Sequence, residues 1–216
     1  MRLRRNPKAK LILESHPEYV ILDSSKHKNK FKELFSQQEL PLHIEIGMGK
    51  GGFLIEMAKK NPDINFIGIE KYDSVMVVAL TKLLKEAPLN NLKLMLSDAK
   101  DLKEVFAENE ISQLYLNFSD PWPKSRHAKR RLTYIDFLKV YQFILKNNSQ
   151  LILKTDHRTF FESSLVSFNQ FDLSFNDLCL DLHNSEGYDY NVQTEYEKKF
   201  SKNGPIYRIE VLFNEI

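Results

Sequence analysis

Carboxylates accompany three short apolar runs in the first half of the chain. Glu45 lies inside the run LHIEIG, Glu70 ends the run NFIGIE, and Asp98 follows the run LKLMLS. An unpaired carboxylate inside an apolar strand is costly, so Glu45 is expected to have a cationic or hydrogen-bonding partner. Glu70 and Asp98 could be solvated strand ends or helix caps. Acids at the ends of successive parallel strands nevertheless converge on the crevice where open α/β sheets bind ligands. There Glu70 could accept hydrogen bonds from ribose hydroxyls, and Asp98 could accept one from an adenine amino group.

Glycines follow Glu45 closely, in the sequence GMGKGG of residues 47–52. They permit a tight turn and a close approach of the backbone to a ligand at the start of the next helix. Gly47, Gly49 and Gly52 have the spacing of a dinucleotide-binding turn, so a nicotinamide dehydrogenase is one candidate. S-adenosylmethionine is favoured, because its ammonium and sulfonium groups suit a carboxylate that a phosphate would not. The predicted cofactor-binding residues are Glu45, Gly47, Gly49, Glu70 and Asp98.

The segment SDPWPKSRHAKRR, residues 119–131, combines an acid, a tryptophan between two prolines and a run of basic residues. Asp120 follows the run QLYLNFS and is therefore expected to project into the same crevice. Pro121 and Pro123 stiffen the corner around Trp122, which we expect to fill a gap in the core rather than to stack on a base. The basic residues are typical of a solvated loop, but their place beside a candidate catalytic acid favours contact with nucleic-acid phosphates.

Short apolar runs alternate with longer amphipathic segments, which is the pattern of βαβ units. We therefore predict a Rossmann-like α/β fold with a seven-stranded, mostly parallel sheet, one antiparallel strand at its edge and helices on both faces. Asp73 is a candidate N-cap, and a short helix is expected over residues 28–38. The predicted strands are residues 42–47, 65–70, 92–97, 113–118, 150–155, 172–182 and 206–213. The predicted helices are residues 51–61, 73–87, 99–109, 132–148 and 157–171.

The chain is long enough for one domain: its 216 residues are 42% hydrophobic and 12% aromatic, which can fill a core. We expect a basic N-terminal extension at residues 1–40 and a single domain at residues 41–216. The net charge is only +2, but basic residues crowd into residues 1–10, 26–32 and 124–131, which indicates local contacts with anions.

The composition also excludes several classes of protein. The single cysteine excludes a disulfide scaffold and a cysteine-built zinc site, and none of the six histidines has metal-ligand spacing with another, so no metal is expected. No apolar run approaches the length of a membrane span, and the basic N-terminus does not lead into a signal peptide. A cytoplasmic location is therefore expected.

Six motifs occur in a fixed order along the chain: EIGMGKGGF, GIEKY, SDA, NFSDPWPKSRHAKRRL, LKTDH and TEYEKKF. Together they resemble the bacterial tRNA (guanine-N7)-methyltransferases, which have the class I, S-adenosylmethionine-dependent fold. The resemblance runs from about Leu42 to the C-terminus, and DPWPKSRHAKRR is its most specific part. Met48 departs from it, because the family commonly has a small polar residue there.

The resemblance implies a role for each matching position. Asp120 would be the catalytic residue and would also lie at the methyl donor. Contacts with the substrate are expected from Lys124, Asp156, Thr194, Glu195, Tyr196 and Glu197. Contacts with RNA are expected from Arg126, His127, Lys129, Arg130 and Arg131. The implied reaction methylates N7 of guanine 46 in the variable loop of tRNA and releases S-adenosylhomocysteine.

Other interpretations remain open. TEYE, residues 194–197, also fits a helix capping box, so Thr194 and Glu197 could serve the helix alone. A methyltransferase for an exocyclic amine is a second candidate, because DPWP resembles the aromatic-proline loop of such enzymes, although an amine demands a stronger proton acceptor. A non-catalytic RNA-binding protein on the same scaffold is a third, although it would be expected to lose cofactor acids. The expected partner is tRNA, bound by a monomer or homodimer with no obligatory protein partner and no membrane.

Overall fold

The computed structural model describes residues 6–214 and is built around one mixed sheet. The strands are β1 (Val20–Ile21), β2 (Leu42–Ile46), β3 (Asn65–Glu70), β4 (Leu92–Leu96), β5 (Ile111–Asn117), β6 (Leu145–Thr155), β7 (Ser174–Cys179) and β8 (Tyr207–Leu212). They form an eight-stranded sheet in the order β1-β4-β3-β2-β5-β6-β8-β7. Neighbours from β1 to β6 are parallel, whereas β8 is antiparallel to both β6 and β7.

Helices cover both faces of this sheet, as the alternation of elements predicts. They are α1 (Ala9–Glu14), α2 (Gly52–Lys60), α3 (Asp73–Leu83), α4 (Leu102–Val105), α5 (Ile135–Ile144), α6 (Arg158–Gln170) and α7 (Glu195–Phe200). One buried cluster joins the sheet to α1, α2 and α3, and a larger one joins it to α4, α5 and α6. Because successive side chains of a strand point to opposite faces, Phe66 of β3 belongs to the first cluster and Ile67 to the second.

The strand order reverses beside β2, which pairs with β3 on one side and β5 on the other. Every residue of β2 and β3 is buried, as expected for parallel strands covered on both faces. Ligands of open α/β sheets bind outside the carboxyl ends of the strands at such a reversal. The glycine turn therefore lies where the fold favours a ligand.

The antiparallel strand lies at a different place from the predicted one. Tyr207–Leu212 is inserted between β6 and β7, so Ser174–Cys179, which runs parallel to β6, forms the edge of the sheet. A short strand, Val20–Ile21, adds to the other edge. The predicted class of fold is unaffected, because these changes concern only the outer strands.

Two local features differ from the sequence-based prediction, a short helix in the N-terminal part and the N-cap of α3. The helix expected over residues 28–38 is a single 3-10 turn, Phe31–Leu34, whose Phe31 is buried in the main core. Asp73 is the first residue of α3, and Tyr72 precedes it as N-cap. Asp73 still serves the helix start, because its Oδ1 accepts from the backbone and hydroxyl groups of Ser74.

The described part of residues 1–40 packs on the rest of the chain. The backbone N–H of Asn6 donates to Ser74 Oγ at 2.9 Å, and Phe35 is buried in the main core beside Phe31. The first five residues of the basic cluster expected at residues 1–10 lie outside the described residues. The division of the chain at residue 40 stays a prediction.

Candidate functional site

A cavity of about 640 Å³ opens at the carboxyl ends of β2 and β5. Its lining comes from Glu45 and the glycine turn, from Phe53 at the start of α2, and from Asn117 and Phe118 at the end of β5. The opposite wall comes from residues 194–200, which are the N-cap and the whole of α7. Two distant parts of the sequence thus enclose the space that the acidic residues were expected to share.

Glu45 forms the buried acidic part of this cavity. It is 2% exposed, and its Oε1 accepts a hydrogen bond from Asn117 Nδ2 at 2.8 Å. Its Oε2 and Asn117 Oδ1 are both buried without a partner among the described residues. Burial raises the pKa of Glu45 to about 7, although the hydrogen bond from Asn117 and the charge of Lys154 lower it. The predicted need of Glu45 for a partner is therefore met only in part by the protein.

The glycine turn is held by the carboxylate that ends β3. Glu70 accepts from the backbone N–H of Gly49 at 3.2 Å and from those of Lys71 and Tyr72 at 2.9 and 3.0 Å. Burial raises the pKa of Glu70 against these three hydrogen bonds. Gly47 and Gly49 have φ of +78° and +57°, which side chains rarely adopt. Glu70 thus shapes the turn besides lying beside the cavity.

Met48, where the family commonly has a small polar residue, is buried within the turn. A Cβ on Gly68 of β3 would collide with its sulfur and with Leu54. The methionine therefore packs into the space left by a glycine of the neighbouring strand, and the turn keeps its place at the cavity.

Of the four predicted acids, Glu45 alone lines the cavity. Glu70, Asp98 and Asp120 lie at the expected strand ends, outside the lining. Asp98 accepts from the backbone N–H of Lys100 at 3.1 Å and caps the 3-10 turn after β4, which is the simpler role considered for it. Asp120 is exposed on the loop after β5. The four strands that carry these acids are consecutive in the sheet, in the order β4, β3, β2 and β5. All four acids therefore lie on the side of the sheet formed by the carboxyl ends of its parallel strands.

The loop that follows Asp120 is held by its own basic residues. Trp122 is half-buried and belongs to none of the core clusters of the described residues, so its expected role as a core plug is wrong. Arg131 donates from Nε to Pro121 O at 3.2 Å and from Nη2 to Trp122 O at 3.1 Å. The Arg130 guanidinium lies 4.8 Å from the centre of the Trp122 ring. The ring is therefore half-buried beneath the Arg130 guanidinium instead of lying in the core.

Strain is concentrated in the same loop. Phe118 and Trp122 have φ of +51° and +40°, which is rare for bulky residues and costs about 1–3 kcal/mol each. Lys124, Arg126 and Lys129 are exposed there, whereas His127 is half-buried against the edge of the Trp122 ring. The loop therefore presents cations on a constrained backbone.

The TEYE segment forms both a helix cap and a cavity wall. The predicted capping box is confirmed, because Thr194 Oγ1 accepts from Glu197 N at 2.9 Å and Glu197 Oε2 accepts from Thr194 N at 3.2 Å. Glu195 forms an ion pair with Lys82, and the Tyr196 hydroxyl donates to Asp156 Oδ2 at 2.9 Å. Asp156 and Tyr196 thus meet although they are distant in sequence.

Glu197 is not available at the surface of the cavity. It is fully buried, pairs with Lys154 at 2.7 Å, and also accepts from Asn191 Nδ2 at 2.8 Å. Burial acts to raise the pKa of Glu197, but the Lys154 ammonium and these hydrogen bonds hold it below its usual value. The predicted contact of Glu197 with substrate therefore has no free carboxylate to make it.

Several lining residues escaped the sequence analysis. Asn117, Phe118 and Phe200 line the cavity, and Tyr196 packs between Phe118 and Phe200 with ring centres 4.9 and 4.3 Å away. A buried asparagine in an apolar strand was a signal of the same kind as Glu45. The aromatic residues gave none, because core phenylalanines look the same in sequence.

Two further kinds of feature bear on function within residues 6–214: clusters of metal-ligating side chains and helices able to span a bilayer. In that range no group of three or more His, Cys, Asp or Glu residues could hold a metal ion. No helix of the described chain is long and apolar enough to cross a bilayer.

Comparison with known proteins gives a consistent family. A family model described as a putative methyltransferase matches residues 39–209. A tRNA (guanine-N(7)-)-methyltransferase of Geobacillus sp. (strain WCH70) is 54% identical over 99% of this chain and 96% of its own length. The enzyme of the same name from Streptococcus pneumoniae (strain 70585) is 50% identical over 99% of this chain and 100% of its own length.

Solved structures agree at the level of the fold. The 16S rRNA methyltransferase KamB superposes with a TM-score of 0.64 at 12% identity, covering 87% of this chain and 94% of its own. An antibiotic-related methyltransferase has a TM-score of 0.60 at 16% identity, covering 80% of this chain and 88% of its own. These structures share the class I methyltransferase fold with this chain. Together with the matching family model they define a class I methyltransferase, for which S-adenosylmethionine is the supported cofactor.

Within that class, the chain belongs to the tRNA (guanine-N7)-methyltransferase family, to which its relatives of 50–54% identity belong. The predicted family and fold class are confirmed. The roles of individual site residues stay predictions.

Proposed function

We propose that this protein transfers the methyl group of S-adenosylmethionine to N7 of guanine 46 in the variable loop of tRNA. The observation that carries the proposal is the pair of unpaired, buried acceptors in the cavity, Glu45 Oε2 and Asn117 Oδ1, on a chain of this family. The proposed site of action is the cytoplasm, as a monomer or homodimer, with residues 1–40 as a basic extension and residues 41–216 as the methyltransferase domain.

The buried acceptors fit the methyl donor better than a dinucleotide. Two acceptor oxygens without donors match an ammonium group, which brings several donors and a positive charge. A phosphate would add negative charge beside Glu45 and would leave both acceptors unpaired. Glu45 and Asn117 would hold the ammonium group, Glu70 the ribose and Asp98 the adenine amino group.

The reaction requires positioning more than proton transfer. S-adenosylmethionine supplies a methyl group on a sulfonium, whose bonding electron pair stays on sulfur as guanine N7 uses its lone pair to form the new bond. N7 carries no proton, so no general base is needed, and the product ring is cationic. We assign Asp120 to hydrogen bonding with the substrate and to stabilising the positive charge that spreads onto the purine.

The base and its surroundings have separate proposed contacts. We propose that Asp156 accepts hydrogen bonds from the N1–H and amino group of guanine, together with the polar groups of Thr194 and Glu195. The Tyr196 hydroxyl donates to Asp156 and holds it in place. Lys124, Arg126, His127 and Lys129 are proposed to contact RNA phosphates, with Arg130 and Arg131 bracing the loop as well as carrying charge. In paired RNA, guanine N7 faces the deep and narrow major groove, which side chains cannot enter. The target base is therefore expected to leave its stack or to lie in a loop.

A matched pair of tRNA transcripts tests the position and the role of Asp120. One transcript carries guanine 46 and the other adenine 46, and each is incubated with methyl-labelled S-adenosylmethionine. Label should enter the guanine 46 transcript and fall to background in the other. Asp120→Ala should lose turnover while its binding of S-adenosylhomocysteine stays near that of the unchanged protein. Equal labelling of both transcripts, or normal turnover by Asp120→Ala, would contradict the proposal.

A further inference from the structure

Lys154 is a buried cation that the sequence analysis did not single out. It is 3% exposed in β6, and its ammonium donates to Asn191 Oδ1 at 3.0 Å, Val192 O at 2.9 Å and Glu197 Oε2 at 2.7 Å. These three bonds use all three of its protons. Lys154 thus has well-defined partners on the segment that leads into α7.

Lys154 does not line the cavity, but it is linked to two of the residues that do. Its Nζ lies 5.2 Å from the centre of the Phe53 ring, which lines the cavity from α2. Its partner Glu197 closes the capping box with Thr194, another lining residue. Lys154 therefore fixes the wall formed by residues 194–200 against the sheet.

Lys154 also belongs to a row of polar residues that runs across the sheet to Glu45. Asn117 and Lys154 are register partners on the parallel strands β5 and β6, so their side chains lie on the same face. Asn117 in turn donates to Glu45 Oε1 at 2.8 Å. A row of polar side chains therefore runs from Glu45 at the proposed donor site to Glu197 in the opposite wall, through Asn117 and Lys154.

Other charged groups along the row are buried as well. Arg208 of β8 is the register partner of Lys154 and pairs with Asp177 and Glu210. Glu45 is faced by Glu70 from β3 and by Tyr115 and Asn117 from β5, besides Lys154 from β6. Among these, Lys154 is the cation whose charge lowers the pKa of Glu45, while burial and Glu70 raise it.

We propose that Lys154 is a positioning residue whose positive charge supports donor binding at Glu45 and whose hydrogen bond to Glu197 anchors the wall formed by residues 194–200. The inference rests on the proposed function, because it requires donor binding at Glu45. It makes donor affinity depend on a charge that does not touch the donor. A merely structural ion pair would make no such link.

The test measures binding of S-adenosylhomocysteine, which keeps the ammonium group, by calorimetry between pH 6 and 8.5. In the unchanged protein the affinity should rise as Glu45 loses its proton near pH 7. Lys154→Met should move this midpoint upward and lower the affinity at pH 7, because a positive charge that lowers the pKa of Glu45 is removed. The full-length protein is used throughout, with its fold checked by circular dichroism.

Two further variants keep the test decisive if Lys154→Met is unstable. Removing one partner of a buried ion pair leaves the other charge uncompensated, whereas removing both charges is often tolerated. The double variant Lys154→Met with Glu197→Gln keeps a polar group in the capping box and should show the same upward midpoint. Thr194→Val loosens the same wall without changing charge and should leave the midpoint unchanged. Lys93→Met is the matched control, because Lys93 is a partly buried lysine of β4 that does not line the cavity. It should leave the midpoint unchanged.

The outcomes separate the two proposals. A folded double variant with an unshifted midpoint would overturn the positioning role of Lys154, as would an equal shift in Thr194→Val. Failure of the unchanged protein to bind S-adenosylhomocysteine at any pH would overturn the proposed function itself. An upward shift confined to the two variants that lack Lys154 is the predicted result.

Discussion

Replacing Glu45 by Gln should stabilise the ligand-free protein at alkaline pH while weakening donor binding. Glu45 is fully buried, and its pKa lies at about 7 instead of the ordinary 4.5, chiefly because burial disfavours the charged form. The folded protein therefore holds this proton more tightly than the unfolded chain, and the free energy of unfolding falls as pH rises from 4.5 to about 7.

The size of the effect follows from that difference. One pKa unit corresponds to about 1.4 kcal/mol, so ionised Glu45 lowers the free energy of unfolding by about 3 kcal/mol above pH 7. Glu45→Gln removes this penalty at pH 8 and has nothing to remove below pH 4.5. The charge it removes is the proposed partner of the donor's ammonium group, whose loss should weaken donor binding by about 1.5–3 kcal/mol.

Urea unfolding of the ligand-free protein at pH 5 and pH 8 measures the first effect, and calorimetry with S-adenosylhomocysteine measures the second. Glu104→Gln, which changes an exposed carboxylate of α4, is the control and should alter neither. Glu45→Gln should raise the free energy of unfolding mainly at pH 8. Equal destabilisation at both pH values, or unchanged donor affinity, would refute the reasoning about Glu45.

The remaining predictions concern the loop, the phosphates and the wall. Asp120→Asn should lower the rate of methyl transfer at saturating substrate with little change in donor affinity, and a loss of donor affinity alone would argue against its role. Arg126→Gln with Lys129→Gln should reduce the slope of log affinity for tRNA against log salt by about 1.5, and an unchanged slope would exclude phosphate contacts there. Arg131→Lys should lower kcat, because a single ammonium nitrogen lacks the planar fork by which the Nε and Nη2 of Arg131 donate to the Pro121 and Trp122 carbonyls; unchanged kcat would contradict this. Thr194→Ala should cost about 1 kcal/mol in urea unfolding through loss of the cap.

The sequence was most informative about the central parallel strands. The runs around Glu45 and Glu70 became β2 and β3 because parallel strands are buried on both faces and read as continuous apolar stretches. The place of Tyr207–Leu212 could not be predicted, because it depends on pairing with strands far away in sequence. Val20–Ile21 is too short to give a pattern.

The site was predictable where one residue type is costly without a partner. Glu45 gave that signal, and the capping box gave another at Thr194 and Glu197. The pairing of Glu197 with Lys154 gave none, because it joins two segments that only the tertiary structure brings together. Trp122 was expected to fill a gap in the core, but the ring is half-buried outside the core clusters of the described residues, with the Arg130 guanidinium over it.

Nucleoside analysis of labelled tRNA tests the central claim most directly. The purified protein is incubated with methyl-labelled S-adenosylmethionine and unmodified tRNA, and the RNA is digested to nucleosides. Label recovered as 7-methylguanosine, and absent when DNA replaces tRNA, is the predicted result. Label on an adenine or cytosine amino group, or donor binding without any transfer to tRNA, would contradict the account.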